Sequence, residues 1–370
     1  MKKIVIIGGG VSGLITAIQL AHADIPCLVI EKKNYPFHRV CGEYISNETV
    51  PFLKSLNLFP EEYKPPLIRR FQLSSARGKN QILQLDLGGF GISRYAFDHF
   101  LYERAKMLGV KFLLKEGVEK ISFDTERFTI TTQARQLDSD IVIGAFGKRS
   151  TLDTQLNRGF IQKRSPYVGV KYHIHTDHPE DLIALHNFKG GYCGISNIEN
   201  GKTNLCYLTH RENIRQFKNI REMEEAVLFK NPLLKDIFNN SEFLFDKPET
   251  INEISFETKS PVEHHILMAG DAAGMITPLC GNGIAMGIHA AKILSELIIG
   301  HLKRQLFSRA ALERDYIQAW NKIFRSRLRF GRQVQNLFGN EWASNATVNL
   351  AIHVRPVARM IMKRTHGEPF

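Results

Sequence analysis

The chain has 370 residues, of which 43% are hydrophobic and 23% charged, the composition of a folded globular protein large enough for two or three interdependent domains. Its net charge of +12 is uneven, because residues 301–370 carry 13 Lys and Arg against 4 Asp and Glu. No apolar run reaches the roughly 18 residues of a membrane-crossing helix; the richest, Ile284 to Ile299, is broken by His289, Lys292 and Glu296. The apolar stretch after Met1-Lys2-Lys3 stops at a triple glycine, which reads against a signal peptide and for a cytoplasmic protein, or one peripheral to the membrane.

Ile4 to Ile7 form a short apolar strand that runs directly into Gly8, Gly10 and Gly13. This spacing predicts a nucleotide-binding turn: Gly8 for the tight bend, Gly10 for close approach to a pyrophosphate, Gly13 for packing of the next helix on its strand. That helix places Val11, Leu14, Ile15, Ile18 and Leu20 at apolar spacing, with Ala17 against the sheet. A second strand, Cys27 to Ile30, ends at Glu31, about twenty residues beyond the glycines, where an acid accepts hydrogen bonds from ribose hydroxyls.

Tyr35 to Glu43 reads as a loop, residues 48–57 as a short helix and residues 66–86 as alternating strands. Tyr95 to Leu108 has helical spacing, with Phe97, Phe100, Leu101 and Ala105 on one face, and leads into a strand from Val110 to Leu114. A strand near Phe128 to Thr132 precedes Asp140 to Ser150, a buried parallel-type strand ending in a glycine turn. Tyr167 to about Phe256 is strand-rich with one helix inserted near Ile214 to Phe229, a sheet suited to one wall of a cavity to which Phe188, Tyr192, Ile195 and Tyr207 contribute.

Ile266 to Asp271 is a strand with an acid at its carboxyl end, followed by Pro278 to Gly283 and a helix from Ile284. Asp271 can accept from a ribityl or ribose hydroxyl, and Gly281 and Gly283 let backbone amides approach a ring oxygen at a helix start. Leu312, Tyr316, Trp320, Phe324 and Leu328 recur every four residues, the spacing of a core contact. Lys322, Arg325, Arg327, Arg329 and Arg332 beside them form either a solvated face or a surface for an anionic membrane or an acidic acyl carrier protein; nucleic acid is not expected.

Cys27, Cys41, Cys193, Cys206 and Cys280 are scattered, without a CxxC pair, and read as reduced thiols. His173, His175 and His178 are the one metal-like cluster, but no thiolate or carboxylate has matching spacing, so no metal is expected.

Five blocks, in order over about residues 1–300, resemble the FAD-dependent oxidoreductases of the aromatic-hydroxylase and geranylgeranyl-reductase superfamily: Gly8 to Gly13 with Glu31, Arg39 to Glu43, Ser93-Arg94 with Asp98, Gly144 to Gly147, and Gly270-Asp271 with Pro278 to Gly283. The resemblance implies an α/β fold. Residues 1–65, 91–155 and 258–300 would make a Rossmann-like FAD-binding domain, 66–90 and 156–257 an interleaved, mostly antiparallel β-sheet substrate domain, and 301–370 a basic C-terminal helical segment.

By the same resemblance, Gly8, Gly10, Val11, Ser12 and Gly13 would hold the cofactor pyrophosphate and Glu31 the adenosine ribose. Arg39 and Arg94 would approach phosphate or ribose, Gly270 and Asp271 the ribityl chain, and Gly281, Asn282 and Gly283 the flavin pyrimidine edge. Cys41 would tune or shield the flavin and Glu43 donate or orient a proton, a buried small thiol and a surface carboxylate being the plainer readings. The chain also departs from both branches. Phe146 stands where hydroxylases carry an acid, Ala285 where they carry Asn, Cys41-Gly42-Glu43 where reductases show Cys-Gly-Gly, and Gly191 to Ser196 where they show Trp-Phe-Pro. The leading expectation is an NAD(P)H-linked monooxygenase of a hydrophobic aromatic, polyketide-like or isoprenoid-like substrate. A flavin-dependent C=C reductase is the alternative, and a lipid or prenyl carrier that has lost its flavin the remote one.

Overall fold

The computed structural model describes residues 2–163, 165–252, 254–277, 281–338 and 367–370. The chain opens with β1 (Ile4–Ile7), α1 (Val11–His22) and β2 (Cys27–Glu31). It continues through β3 (Tyr44–Ser46), α2 (Val50–Ser55), β4 (Leu67–Ser74), β5 (Asn80–Gly91) and α3 (Arg94–Met107). Next come β6 (Lys111–Leu114), β7 (Val118–Asp124), β8 (Arg127–Thr132), β9 (Gln136–Ser139), β10 (Ile141–Gly144) and α4 (Thr151–Gln155). A long excursion holds β11 (Tyr167–His175), β12 (Leu182–Phe188), β13 (Gly191–Asn197) and β14 (Thr203–His210), then α5 (Arg211–Arg215), α6 (Ile220–Val227) and α7 (Pro232–Asn240). The chain returns by β15 (Glu242–Phe243), β16 (Glu249–Asn252), β17 (Val262–Glu263) and β18 (Ile266–Met268) to α8 (Gly283–Leu302) and α9 (Arg309–Phe338).

The first sheet has six strands in the order β17-β18-β10-β1-β2-β6, parallel except for β17. Strands β1 and β10 are apolar and buried along their whole length, as the middle of a sheet covered on both faces demands. The chain leaves β1 toward β2 on one side and later adds β10 and β18 on the other, so a crevice opens at the carboxyl ends of β1 and β10. Gly8, Glu31 and Gly144 all stand at that edge.

The second sheet runs β15-β11-β14-β13-β12-β4-β5-β3, with β16 also pairing β11, and is antiparallel except for the β12–β4 pair. These two sheets, a third of three antiparallel strands (β7-β8-β9) and the terminal helices give the mixed α/β architecture expected of the sequence. Strand β3 ties the two halves together, since Tyr44 to Ser46, between β2 and α2, pairs with the end of β5. The single helix expected near Ile214 to Phe229 is three. Asn219 caps α6 by accepting from the Glu222 amide, and Asn231 caps α7 by accepting from Leu233, with Pro232 in its first turn.

Leu312, Tyr316, Trp320, Phe324 and Leu328 of α9 are buried in the same core cluster as β1, α1 and α8, and the Tyr316 hydroxyl donates to the Met268 carbonyl at 2.6 Å. Helix α8 is long and apolar enough to cross a membrane by length and composition, but it is a core helix here, with Ile288, Ala291, Leu294 and Ile298 fully enclosed. Residues 339–366 of the expected C-terminal helical segment lie outside the described residues.

Candidate functional site

The glycine turn after β1 is built by backbone-to-backbone contact. Gly8 has φ 105°, and a Cβ there would stand 2.3 Å from the Ala145 carbonyl oxygen; a Cβ on Gly13 would stand 2.1 Å from that of Gly8. At Gly10 the space is open, and the nearest atoms a Cβ would meet are Arg94 Nη2 at 3.4 Å and Arg39 Nη2 at 3.9 Å. Gly10 is the N-cap of α1 and no side chain caps that helix, so two guanidinium groups stand over a bare helix N-terminus. Dipole, free amides and planar cations together suit a pyrophosphate. Val11 is buried in the core and meets this cradle only through its backbone, while Ser12 packs beneath it.

Asp98 aims both guanidiniums. It accepts from Arg94 Nε at 2.6 Å and Nη2 at 2.8 Å, and from Arg39 Nε at 3.1 Å. Burial opposes the Arg94 charge, but Asp98 outweighs it and holds the pKa above the usual arginine range. Glu31, at the end of β2, accepts from the Gly9 amide at 2.9 Å and from Arg39 Nη2 at 3.2 Å through Oε2, and from the Lys33 amide at 3.0 Å through Oε1. The acid twenty residues on is therefore tied to the turn it was expected to serve.

The second glycine turn meets the first in space. Gly270 has φ 60°, and a Cβ on it would lie 2.5 Å from Ser12 Oγ. Asp271 follows, half-buried, and its carbonyl accepts from Lys259 Nζ at 2.8 Å, an ammonium that also donates to the Lys148 carbonyl at 2.8 Å. Burial pushes the Lys259 pKa down to about 8. Gly281, Asn282 and Gly283 lead into α8 with Asn282 as its N-cap; Pro278, Leu279 and Cys280 lie outside the described residues. The cradle at Gly10, the paired arginines and the acids at Glu31 and Asp271 fit a dinucleotide cofactor laid along the crevice.

The Glu43 carboxylate, read from sequence as a surface group, is fully buried. Its backbone lies in the left-handed region at φ 54°, costly for a non-glycine residue, and three partners hold it there. Lys171 Nζ lies 2.5 Å from Oε1, His173 Nε2 lies 2.7 Å from Oε2, and the Arg94 amide donates to Oε1 at 2.8 Å. Burial alone would raise the Glu43 pKa; the Lys171 ammonium and the His173 bond outweigh it and hold it at about 2. Glu43 is thus ionised at neutral pH, a state in which it accepts hydrogen bonds and has no proton to donate. Since an ionised carboxylate only accepts, Nε2 of His173 carries the proton between them.

Lys171 and His173 were missed as partners of Glu43. Lys171 also donates to the Arg39 carbonyl at 3.1 Å, and Asn204 Nδ2 donates to the Gly42 carbonyl at 2.9 Å, so β11 and β14 together hold the Arg39 to Glu43 loop. Cys41 is half-buried in that loop. His175 is exposed and His178 bonds the Leu182 carbonyl at 3.0 Å, so the three histidines separate.

Strand alternation also corrects the expected cavity wall. Phe188, Ile195 and Tyr207 face α6 and α7, packing with Met223, Leu234 and Phe238. Tyr192 faces the other way and joins Leu73, Leu185, Leu208, Ile254 and Met275, an apolar wall that reaches the chain just beyond Asp271.

An FAD binding domain family matches residues 1–317. The chain is 25% identical over 358 residues to digeranylgeranylglycerophospholipid reductase 1 of Methanopyrus kandleri, covering 90% of each chain. Among solved structures, a geranylgeranyl bacteriochlorophyll reductase-like protein of Thermoplasma acidophilum superposes with a TM-score of 0.78 at 16% identity, over 98% of this chain and 96% of the other. The halogenase PltM superposes with a TM-score of 0.77 at 14% identity, over 98% and 85%. At such identities the structures share the fold alone.

Proposed function

Because the chain belongs to the FAD binding domain family, as an FAD-dependent oxidoreductase, we propose that it reduces carbon–carbon double bonds in a long apolar, isoprenoid-like substrate, with NAD(P)H as electron donor. The observation that carries this reading is the buried cluster of Glu43, Lys171 and His173 behind the Arg39 to Glu43 loop. Saturating a double bond takes up one hydride and one proton, and this cluster holds the His173 imidazole beside the loop in a fixed orientation, its Nε2–H turned to Glu43. FAD, when bound, supplies the two-electron transfer.

The chain's own residues do the rest. Gly10, Arg39 and Arg94 hold the phosphates and Glu31 the ribose, while Asp98 keeps both guanidiniums aimed. Glu43 fixes the His173 tautomer, and Lys171 and Asn204 fix the loop that carries Cys41. Leu185, Tyr192, Leu208 and Met275 bury the apolar substrate and exclude water. Similarity to a digeranylgeranylglycerophospholipid reductase over nine-tenths of both chains supports reduction over the monooxygenation first expected.

The outer face of α9 carries Arg314, Lys322, Arg325 and Arg329, all exposed, and the loop before it presents Leu306, 86% exposed. This face rests on an anionic membrane surface, where isoprenoid lipids reside; an acidic acyl carrier protein is the other partner that its charge would fit.

The test is the mass of the product formed from a geranylgeranyl lipid by FAD-loaded, prereduced protein. Product that gains two hydrogens per double bond without oxygen supports the proposal. Product that gains an oxygen atom, formed only in air, replaces it with monooxygenation.

A further inference from the structure

On the helical side of the nine-stranded sheet, opposite the wall built by Tyr192 and Leu208, a cavity of about 730 Å³ lies between β11, α6 and the chain from Phe243 to Thr250. Its lining includes the rings of Tyr172, Phe243 and Phe245 and the carboxyl of Glu224, a residue only 1% exposed. Tyr172 and Tyr207 both donate to Oε1 of Glu224, at 2.9 and 2.8 Å, and among the described residues no hydrogen bond reaches Oε2. No ion pair to Glu224 is found among them either. Arg221, also in the lining, turns its Nε to Glu225 at 2.8 Å. Burial raises the Glu224 pKa, and the Tyr207 and Tyr172 hydrogen bonds and the Arg221 charge offset that rise only in part.

The lining itself carries two acids, Glu224 and Asp246, and two bases, Arg221 and Lys247, while the wider stretch is acidic. Residues 219–250 hold seven Asp and Glu against four Lys and Arg, an acidic stretch in a chain of net charge +12. Aromatic faces attract cations, and a buried carboxylate with one unengaged oxygen completes the recognition of a positive group. We propose that this cavity is a binding site for an organic ammonium ion, its alkyl or aryl body held among Tyr172, Phe243 and Phe245 and its charge by Glu224. Nothing in this proposal depends on the reductase reading of the flavin side.

Isothermal titration of the purified full chain with benzyltrimethylammonium, benzyl alcohol and benzoate, at matched ionic strength, decides it. The ammonium is expected to bind saturably at one site, at least about tenfold tighter than benzyl alcohol, with no binding of benzoate. Glu224→Gln keeps an acceptor for both phenols while removing the charge, and is expected to weaken the ammonium about tenfold and leave benzyl alcohol unchanged. Should that variant fail to fold, Phe243→Leu, which stands away from His173, reads the aromatic half and is expected to weaken both the ammonium and benzyl alcohol. Equal affinity for the charged and neutral probes, no saturable binding of the ammonium, or a Glu224→Gln variant that binds it unchanged would overturn the proposal.

Discussion

Lys171 Nζ sits 2.5 Å from Glu43 Oε1, and neither side chain meets solvent. The pair joins the first strand of the long excursion to a loop that precedes it by 128 residues, and so fixes the Arg39 to Glu43 loop to the nine-stranded sheet. Removing one partner strands the other charge in the core. Glu43→Ala is expected to lower unfolding stability by about 3–5 kcal/mol, and the double variant Glu43→Ala with Lys171→Met to recover part of that loss. Urea unfolding of the two singles and the double measures the coupling; additive losses would mean that the pair is not a unit.

Acid stability follows from groups whose pKa is depressed by folding. Burial lowers His38, His186 and His289 from 6.5 to about 4, so the unfolded chain binds protons that the folded chain refuses. Their contribution is complete above pH 6.5 and lost as pH falls toward 4. Glu43 adds a second window, complete above 4.5 and lost toward pH 2. Unfolding free energy measured against pH is expected to fall in both windows, and Glu43→Gln to flatten only the lower one.

Glu31 accepts the Gly9 amide at the heart of the proposed cofactor cradle. Glu31→Ala is expected to weaken FAD binding by at least about tenfold, the scale of one charge-assisted hydrogen bond. Equilibrium dialysis followed by the visible flavin spectrum measures this, and full FAD retention would remove Glu31 from the site.

Helix α9 separates a core stripe from a charged face. Phe324→Ala is expected to cost about 3–5 kcal/mol of stability, because the ring is fully enclosed. Replacing Lys322, Arg325 and Arg329 with Ser is expected to leave stability within about 0.5 kcal/mol but to abolish flotation with anionic vesicles. Flotation that survives this change would put any membrane contact elsewhere.

What was legible in the sequence was what short-range pattern encodes. Ile4 to Gly13 announced strand, turn and helix because apolar run and glycine spacing coincide, and Glu31 closed the unit at its expected distance. The α9 stripe was visible because its period is four. The burial of Glu43 was not, since a carboxylate in a Gly-Glu loop looks solvated until Lys171 and His173, distant in sequence on β11, are brought against it. A signal was nonetheless present: Lys171 and His173 alternate with Val170, Tyr172 and Ile174, a polar pair on one face of an otherwise apolar strand. The break between α6 and α7 was equally written in Asn231-Pro232. Which residues of β13 pack toward α6 and α7 and which toward Met275 could not be read, because both faces of that strand are buried.

The reductase reading is tested most directly by the flavin itself. Purified protein loaded with FAD, reduced without oxygen and mixed with a geranylgeranyl lipid, is predicted to regain its oxidised-flavin absorbance in the absence of air. A flavin that stays reduced with the lipid and reoxidises only when oxygen is admitted would contradict it.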